Sequence, residues 1–224
     1  MKYKFEAIIW DCDGVLIDSE VLAAQTSVDL LKSYGVKINC EDYINRFIGG
    51  RRDEIITSLE VESGIPLSKL ITEEVLINRK TTILQNFKKY LNSIKNIEIV
   101  LNSLQLPMAV ASGSCKERLD YSLDLVNLKP FFKDNIFSSD LVKHGKPKPD
   151  IFLYAAKKLK VNPKKCLVIE DSINGIRAAK AANMTVYAFT QGSHMSKNLK
   201  QKIQETKPDL IFDDMMKLLD LVAI

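Results

Sequence analysis

The chain has little of what marks a membrane, secreted or nucleic-acid-binding protein. No apolar run reaches the ~18 residues needed to cross a bilayer, and the N-terminus has no apolar signal stretch, so neither a span nor a leader is expected. Its four cysteines, Cys12, Cys40, Cys115 and Cys166, stand far apart with no C-x-x-C spacing. That argues against a zinc knuckle and a disulfide framework, and reduced thiols in a cytoplasm are the simplest reading. Charge is nearly balanced at a formal +4, and the lysines are spread along the whole chain. They read as solvated faces, so neither nucleic acid nor membrane is expected as a partner. Internal repeats and low-complexity segments are also missing. What remains is 224 residues, 46% hydrophobic and 27% charged. Those are ordinary values for a globular protein that buries a core, as one domain or one with a substantial insert.

Short apolar runs bounded by turn residues recur at 5–10, 107–111, 166–169, 185–189 and 210–212. They are too short and too uniformly apolar for amphipathic helices, and read as buried parallel strands. Helical patterns at 97–104, 116–128, 149–159 and 173–182 separate the later ones. Such alternation argues for an α/β fold, a doubly wound, Rossmann-like parallel sheet. Residues 19–89 break the rhythm. They read as helices at 20–34, 41–47, 52–63 and 72–86, punctuated by Gly35, Gly49-Gly50 and Gly64-Ile65-Pro66. This block is too long for a simple crossover. It is expected to form an inserted helical cap over 17–89, on a core of 1–16 and 90–224, with linkers near 15–19 and 87–91.

The most informative stretch is Asp11-Cys12-Asp13-Gly14, which follows the apolar run Ala7-Ile8-Ile9-Trp10. Two carboxylates one residue apart at a strand end repel each other unless something positive sits between them. A divalent cation with a taste for hard oxygen ligands, such as Mg²⁺, satisfies that arrangement. One carboxylate can then attack a substrate while the other handles protons. Cys12, flanked by both, reads as a small packed side chain rather than a nucleophile.

Three further polar clusters follow. Ala111 runs into Ser112-Gly113-Ser114, a turn whose free N–H groups and Ser112 hydroxyl make a plausible phosphate cradle. Ser114 with Glu117 matches a capping box for the next helix. In Gly145-Lys146-Pro147-Lys148-Pro149-Asp150 two prolines stiffen the backbone around an aimed lysine, though spacing alone does not choose Lys146 or Lys148. The run Cys166-Leu167-Val168-Ile169 ends in Glu170-Asp171-Ser172, then Gly175. Ligands bind at the carboxyl edge of doubly wound sheets. Carboxylates, a lysine and a hydroxyl meeting there suit metal-assisted phosphoryl transfer.

Taken together and in order, these four motifs resemble the haloacid dehalogenase-like superfamily. The closest likeness is to its capped β-phosphoglucomutase-like and 6-phosphogluconate phosphatase-like branch, over the whole chain. The resemblance implies an aspartyl-phosphate formed on Asp11, with Asp13 as general acid and base. It implies Mg²⁺ held by Asp11, the Asp13 backbone carbonyl and Asp171, with Glu170 beside the metal. It also implies phosphoryl binding by Ser112 and Lys146, which settles Lys146 over Lys148, and substrate contacts from Gly14, Gly113 and Ser114. Dehalogenases of the superfamily lack the second aspartate, because a halide leaving group needs no proton and an alkoxide does. Arg52, after Gly49-Gly50, matches a cap arginine that reaches the far end of a sugar phosphate; its neighbour Arg51 is the alternative. Ala23 stands where the mutase pattern has a histidine, against mutase activity.

The expected function is therefore a Mg²⁺-dependent phosphatase of a sugar phosphate or sugar-acid phosphate such as 6-phosphogluconate. The alternatives are a sugar-phosphate mutase and a phosphate-sensing regulatory domain. The expected partner is a small phosphorylated molecule, for a monomer or weak dimer. Of the two histidines, His144 is expected at a loop surface. The Gly192-Ser193-His194-Met195 segment reads as a native loop.

Overall fold

A computed structural model describes residues 2–224. The chain begins with β1 (Ala7–Trp10), followed by five helices: α1 (Glu20–Ser33), α2 (Cys40–Phe47), α3 (Arg52–Ser63), α4 (Leu67–Leu70) and α5 (Glu73–Tyr90). Alternation then sets in with α6 (Ile97–Ser103), β2 (Met108–Ser112), α7 (Lys116–Leu125), β3 (Ile136–Ser138), α8 (Asp150–Leu159) and β4 (Cys166–Glu170). It continues with α9 (Ile173–Ala181), β5 (Thr185–Phe189), α10 (Lys197–Glu205), β6 (Leu210–Phe212) and α11 (Lys217–Val222). The six strands form one parallel sheet in the order β3-β2-β1-β4-β5-β6. This is the doubly wound α/β fold expected from the sequence.

Both faces of the sheet are covered, and that is why the strands are continuously apolar. In β1, Ile8 and Trp10 pack with α6, α7 and α11 on one face, while Ala7 and Ile9 pack with α8, α9 and α10 on the other. The register aligns the carboxyl ends. Trp10 lies opposite Val110 of β2 and Ile169 of β4, so Asp11 and Glu170 emerge side by side, with Ser112 one residue further along β2. The order reverses at β1: the chain goes out to β2 and β3, then returns to β4. A crevice opens at such a point.

Helices α1 to α4 stack around Val28, Leu31, Val36, Ile38, Leu59 and Leu67, and α5 packs on α1 through Ile83, Phe87 and Ala23. The segments joining them to the sheet run side by side. Asp18 N–H donates to Asn92 O at 2.9 Å, and Ile94 N–H donates to Leu16 O at 2.9 Å. The second joint differs from expectation: α5 continues through Phe87 to Tyr90, because the Phe87 ring is buried with Ala23 and Ile83. A sixth strand, β3, was not foreseen; it has only Ile136 and Phe137 as apolar residues. The amphipathic helix α10 was also unforeseen, since it buries just Leu199 and Ile203 among lysines and glutamines.

Candidate active site

Asp11 leaves β1 with its N–H bound to Ile169 O at 2.9 Å, which fixes it beside the end of β4. Lys146 Nζ lies 2.6 Å from Asp11 Oδ1 and 2.6 Å from Glu170 Oε1. The structure thus brings Lys146 to the carboxylates and leaves Lys148 exposed. The ammonium also sits 4.9 Å from the centre of the Phe152 ring. Burial alone would lower the Lys146 pKa, but Asp11 and Glu170 outweigh it and raise it. Asp11 is pushed well up by burial, with Glu170 and Asp171 adding to the effect against Lys146.

Glu170 is completely buried, and both its oxygens are used. Oε1 takes Lys146, while Oε2 accepts from Asp171 N–H at 2.9 Å, Ser172 N–H at 2.8 Å and Ser172 Oγ at 2.9 Å. Asp171 is pushed well up by burial and the neighbouring Glu170. Its Oδ2, buried, has no hydrogen-bond donor among the described residues; His194 Nε2 stands 3.0 Å away, without hydrogen-bond alignment.

These residues fit a divalent cation. Oxygens of Asp11, Glu170 and Asp171 lie within 4.8 Å of one another. Two of the three carboxylates share the Lys146 ammonium, the third has an orphaned oxygen, and the donors are all hard oxygen. Both oxygens of Glu170 are committed to Lys146 and to the Asp171 and Ser172 donors, whereas Asp11 gives only Oδ1 to Lys146, so Asp11 and Asp171 are the members with an oxygen to spare. The Asp13 carboxylate is not in this group.

Asp13 instead faces the opposite wall. Its Oδ1 accepts from Ser19 Oγ at 2.5 Å and Arg118 Nη2 at 2.6 Å, and its Oδ2 from Ser114 Oγ at 2.7 Å. Burial pushes Asp13 up, but Arg118 and the two hydroxyls more than offset it and hold the carboxyl below its usual range. The expected capping box is therefore absent. Ser114 bonds to Asp13, α7 starts after Cys115 with no side-chain cap, and Glu117 pairs with Lys80. Cys12 between the aspartates is buried, its thiol pushed well up by burial and by both neighbours.

Asp11, Asp13, Ser112, Gly113, Ser114, Lys146 and Asp171 line one crevice of about 670 Å³. Gly14 stands behind it. At φ +80° it leaves space for Asp171: a Cβ there would lie 1.8 Å from Asp171 Oδ2. On the far side are Gly49, Gly50, Arg51, Arg52 and Glu20. Arg51 is turned to Asp53, with Nη2 3.0 Å from Oδ2. Arg52 has no ion pair among the described residues and also lines a second, adjoining cavity. Glu20 is pushed up to about 8 by burial, with Asp13 and Asp171 adding to it. His144 is exposed, 3.0 Å from Asp150.

Sequence reasoning missed Arg118 and His194. Arg118 left a signal: an arginine in the first turn of a helix opposes the helix dipole and needs an anion nearby. His194 left none, since only folding carries its loop beneath Gly14, where it is buried beside Asp171.

This arrangement of a buried Asp–Lys–Glu group facing a second aspartate is that of a hydrolase site, and comparison gives the class. Residues 8–189 match the haloacid dehalogenase-like hydrolase family, and the chain belongs to it. It is similar to the 6-phosphogluconate phosphatase of Escherichia coli K12, 30% identical over 85% of each chain. Hexitol phosphatase B of the same organism is 31% identical over 80% of each. A crystal structure of a haloacid dehalogenase-like protein from Agrobacterium tumefaciens superposes with a TM-score of 0.87, at 35% identity and 97% coverage of both chains.

Proposed function

We propose that the protein is a Mg²⁺-dependent phosphatase acting on a sugar phosphate or sugar-acid phosphate through an aspartyl-phosphate on Asp11. The observation that carries this reading is the division of labour between the two aspartates. Asp11 sits against Lys146 and the acidic group, and Asp13 sits apart against Arg118, Ser19 and Ser114. Asp11 attacks phosphorus while the bond to the leaving oxygen breaks, and Asp13 protonates that oxygen. Asp13 then takes a proton from water, which attacks the phosphorus and frees Asp11. Lys146, Ser112 and the amide of Gly113 hold the phosphoryl oxygens; the Ser114 N–H, expected to be free, is instead donated to Ser112 Oγ at 3.0 Å and helps to fix that hydroxyl. Asp11, Asp171 and the Asp13 carbonyl would hold Mg²⁺, with Glu170 behind them; when bound, it neutralises charge on the phosphoryl group. A cytoplasmic setting belongs to the same reading, in keeping with four free thiols.

The test is a screen of phosphorylated metabolites for inorganic phosphate release, with Mg²⁺ and with excess EDTA. Release that needs Mg²⁺ is expected. No release from any ester, p-nitrophenyl phosphate included, or full release in excess chelator, would overturn the proposal.

A further inference from the structure

The proposed phosphatase reading leaves open what the far end of the substrate carries: one relative is a 6-phosphogluconate phosphatase and another a hexitol phosphatase. The first name implies an acid at that end and the second a neutral hydroxyl. The cavity next to the crevice bears on this choice. It encloses about 270 Å³ among α1, α2, α3 and α5, and shares Glu20, Gly49, Gly50, Arg52 and Arg118 with the crevice wall. The cavity is therefore within reach of the far end of a substrate whose phosphoryl group lies at Asp11.

That cavity is walled mainly by aliphatic and aromatic side chains, yet Arg79 of α5 reaches into it. Arg79 Nη2 and Nε donate to Ser27 Oγ at 2.6 and 3.2 Å. Ser27 Oγ in turn donates to Ala23 O at 2.8 Å. The serine thus holds one edge of the guanidinium, and Nη1 has no hydrogen-bond partner among the described residues. The neighbouring arginines Arg46, Arg51 and Arg118 each pair with a carboxylate. Arg79 has none within salt-bridge distance among the described residues. Burial lowers its pKa, and the like charges of Arg118 and Arg52 lower it further, against Tyr43. A cation held in apolar surroundings without a counter-charge is costly, and an anion delivered by a ligand offsets that cost. The planar fork of a guanidinium suits a carboxylate or phosphate in particular.

We infer that Arg79, positioned by Ser27, is a specificity-determining residue that seats an anionic group at the far end of the substrate. The preferred substrate is then a phosphate monoester with a carboxylate or second phosphate at its other end, rather than a neutral polyol or sugar phosphate. This rests on the phosphatase reading and refines it.

The experiment compares kcat/KM for 6-phosphogluconate and fructose 1,6-bisphosphate against glucitol 6-phosphate, in the wild type, Arg79→Gln and Arg79→Lys. A charge-assisted contact of this kind is worth about 10- to 100-fold in kcat/KM. The wild type should prefer at least one anion-tailed ester by that factor. Arg79→Gln should bring the ratio near one, with a much larger fall for the anionic ester than for glucitol 6-phosphate. Arg79→Lys should keep part of the preference. No wild-type preference would overturn the inference, as would a ratio that survives Arg79→Gln or a loss shared equally by both substrate classes. Should Arg79→Gln fail to fold, the wild-type ratio and Arg79→Lys decide. Failure of the phosphatase reading itself looks different: no phosphate release from any of these esters or from p-nitrophenyl phosphate.

Discussion

Glu170 occupies the space that a side chain at position 175 would need. A Cβ on Gly175 would lie 1.6 Å from Glu170 Oε1 and 1.9 Å from its Cδ, less than 60% of the 3.4 Å of ordinary contact. Two effects of Gly175→Ala oppose each other. Alanine is the better helix former near the start of α9, by about 1 kcal/mol. Against that, the methyl must displace a buried carboxylate that holds Lys146 and the N–H groups of Asp171 and Ser172. Breaking a buried ion pair costs about 3–5 kcal/mol. The clash should win, for a net loss of about 2–4 kcal/mol, or roughly 4–16 °C in Tm for a chain of this size. Calorimetry of the wild type and variant measures this directly. Gly145→Ala is the control: a Cβ there meets nothing within 4 Å, and its φ is not in the left-handed region. It should stay within about 0.5 kcal/mol. A Gly175→Ala melting temperature equal to or above the wild type would refute the reasoning.

Arg118 holds Asp13 below its usual carboxyl range, so Arg118→Gln should raise the Asp13 pKa. Asp13 must be protonated to act as the acid, and the fall of kcat/KM on the alkaline side should therefore move to higher pH; an unmoved or lower limb contradicts the assignment. Ala23, buried in α1, can neither donate a hydrogen bond nor relay a proton to a second sugar hydroxyl. Supplied with β-glucose 1-phosphate and a bisphosphate primer, the enzyme should release phosphate with little glucose 6-phosphate. Stoichiometric glucose 6-phosphate with negligible phosphate would make it a mutase.

The strands that carry Asp11, Ser112 and Glu170 were legible because burial on both faces makes them unbroken apolar runs ending in polar residues. β3 was not, for its three residues hold two apolar side chains and merge with a polar loop. The Lys146–Asp11 pair lies across 135 residues, and only the motif pattern, not the spacing, singled out Lys146 over Lys148. Arg118 reaches Asp13 across 105 residues, and Arg79 reaches Ser27 across 52. Neither distance exists until the sheet order and the helix stack are formed. For the same reason the Ser114 and Glu117 pattern misled: locally it fits a cap, but the fold places an aspartate nearer to the hydroxyl.

Covalent capture at Asp11 tests the reaction most directly. The wild type is mixed with a turned-over phosphate ester and Mg²⁺, quenched in acid within the first turnover, and mapped by peptide mass spectrometry. A phosphoryl group should be found on Asp11, and Asp11→Asn should carry none and turn over at under ~1% of the wild-type rate. A phosphoryl group on another residue, or turnover by Asp11→Asn close to wild type, would contradict Asp11 as the nucleophile.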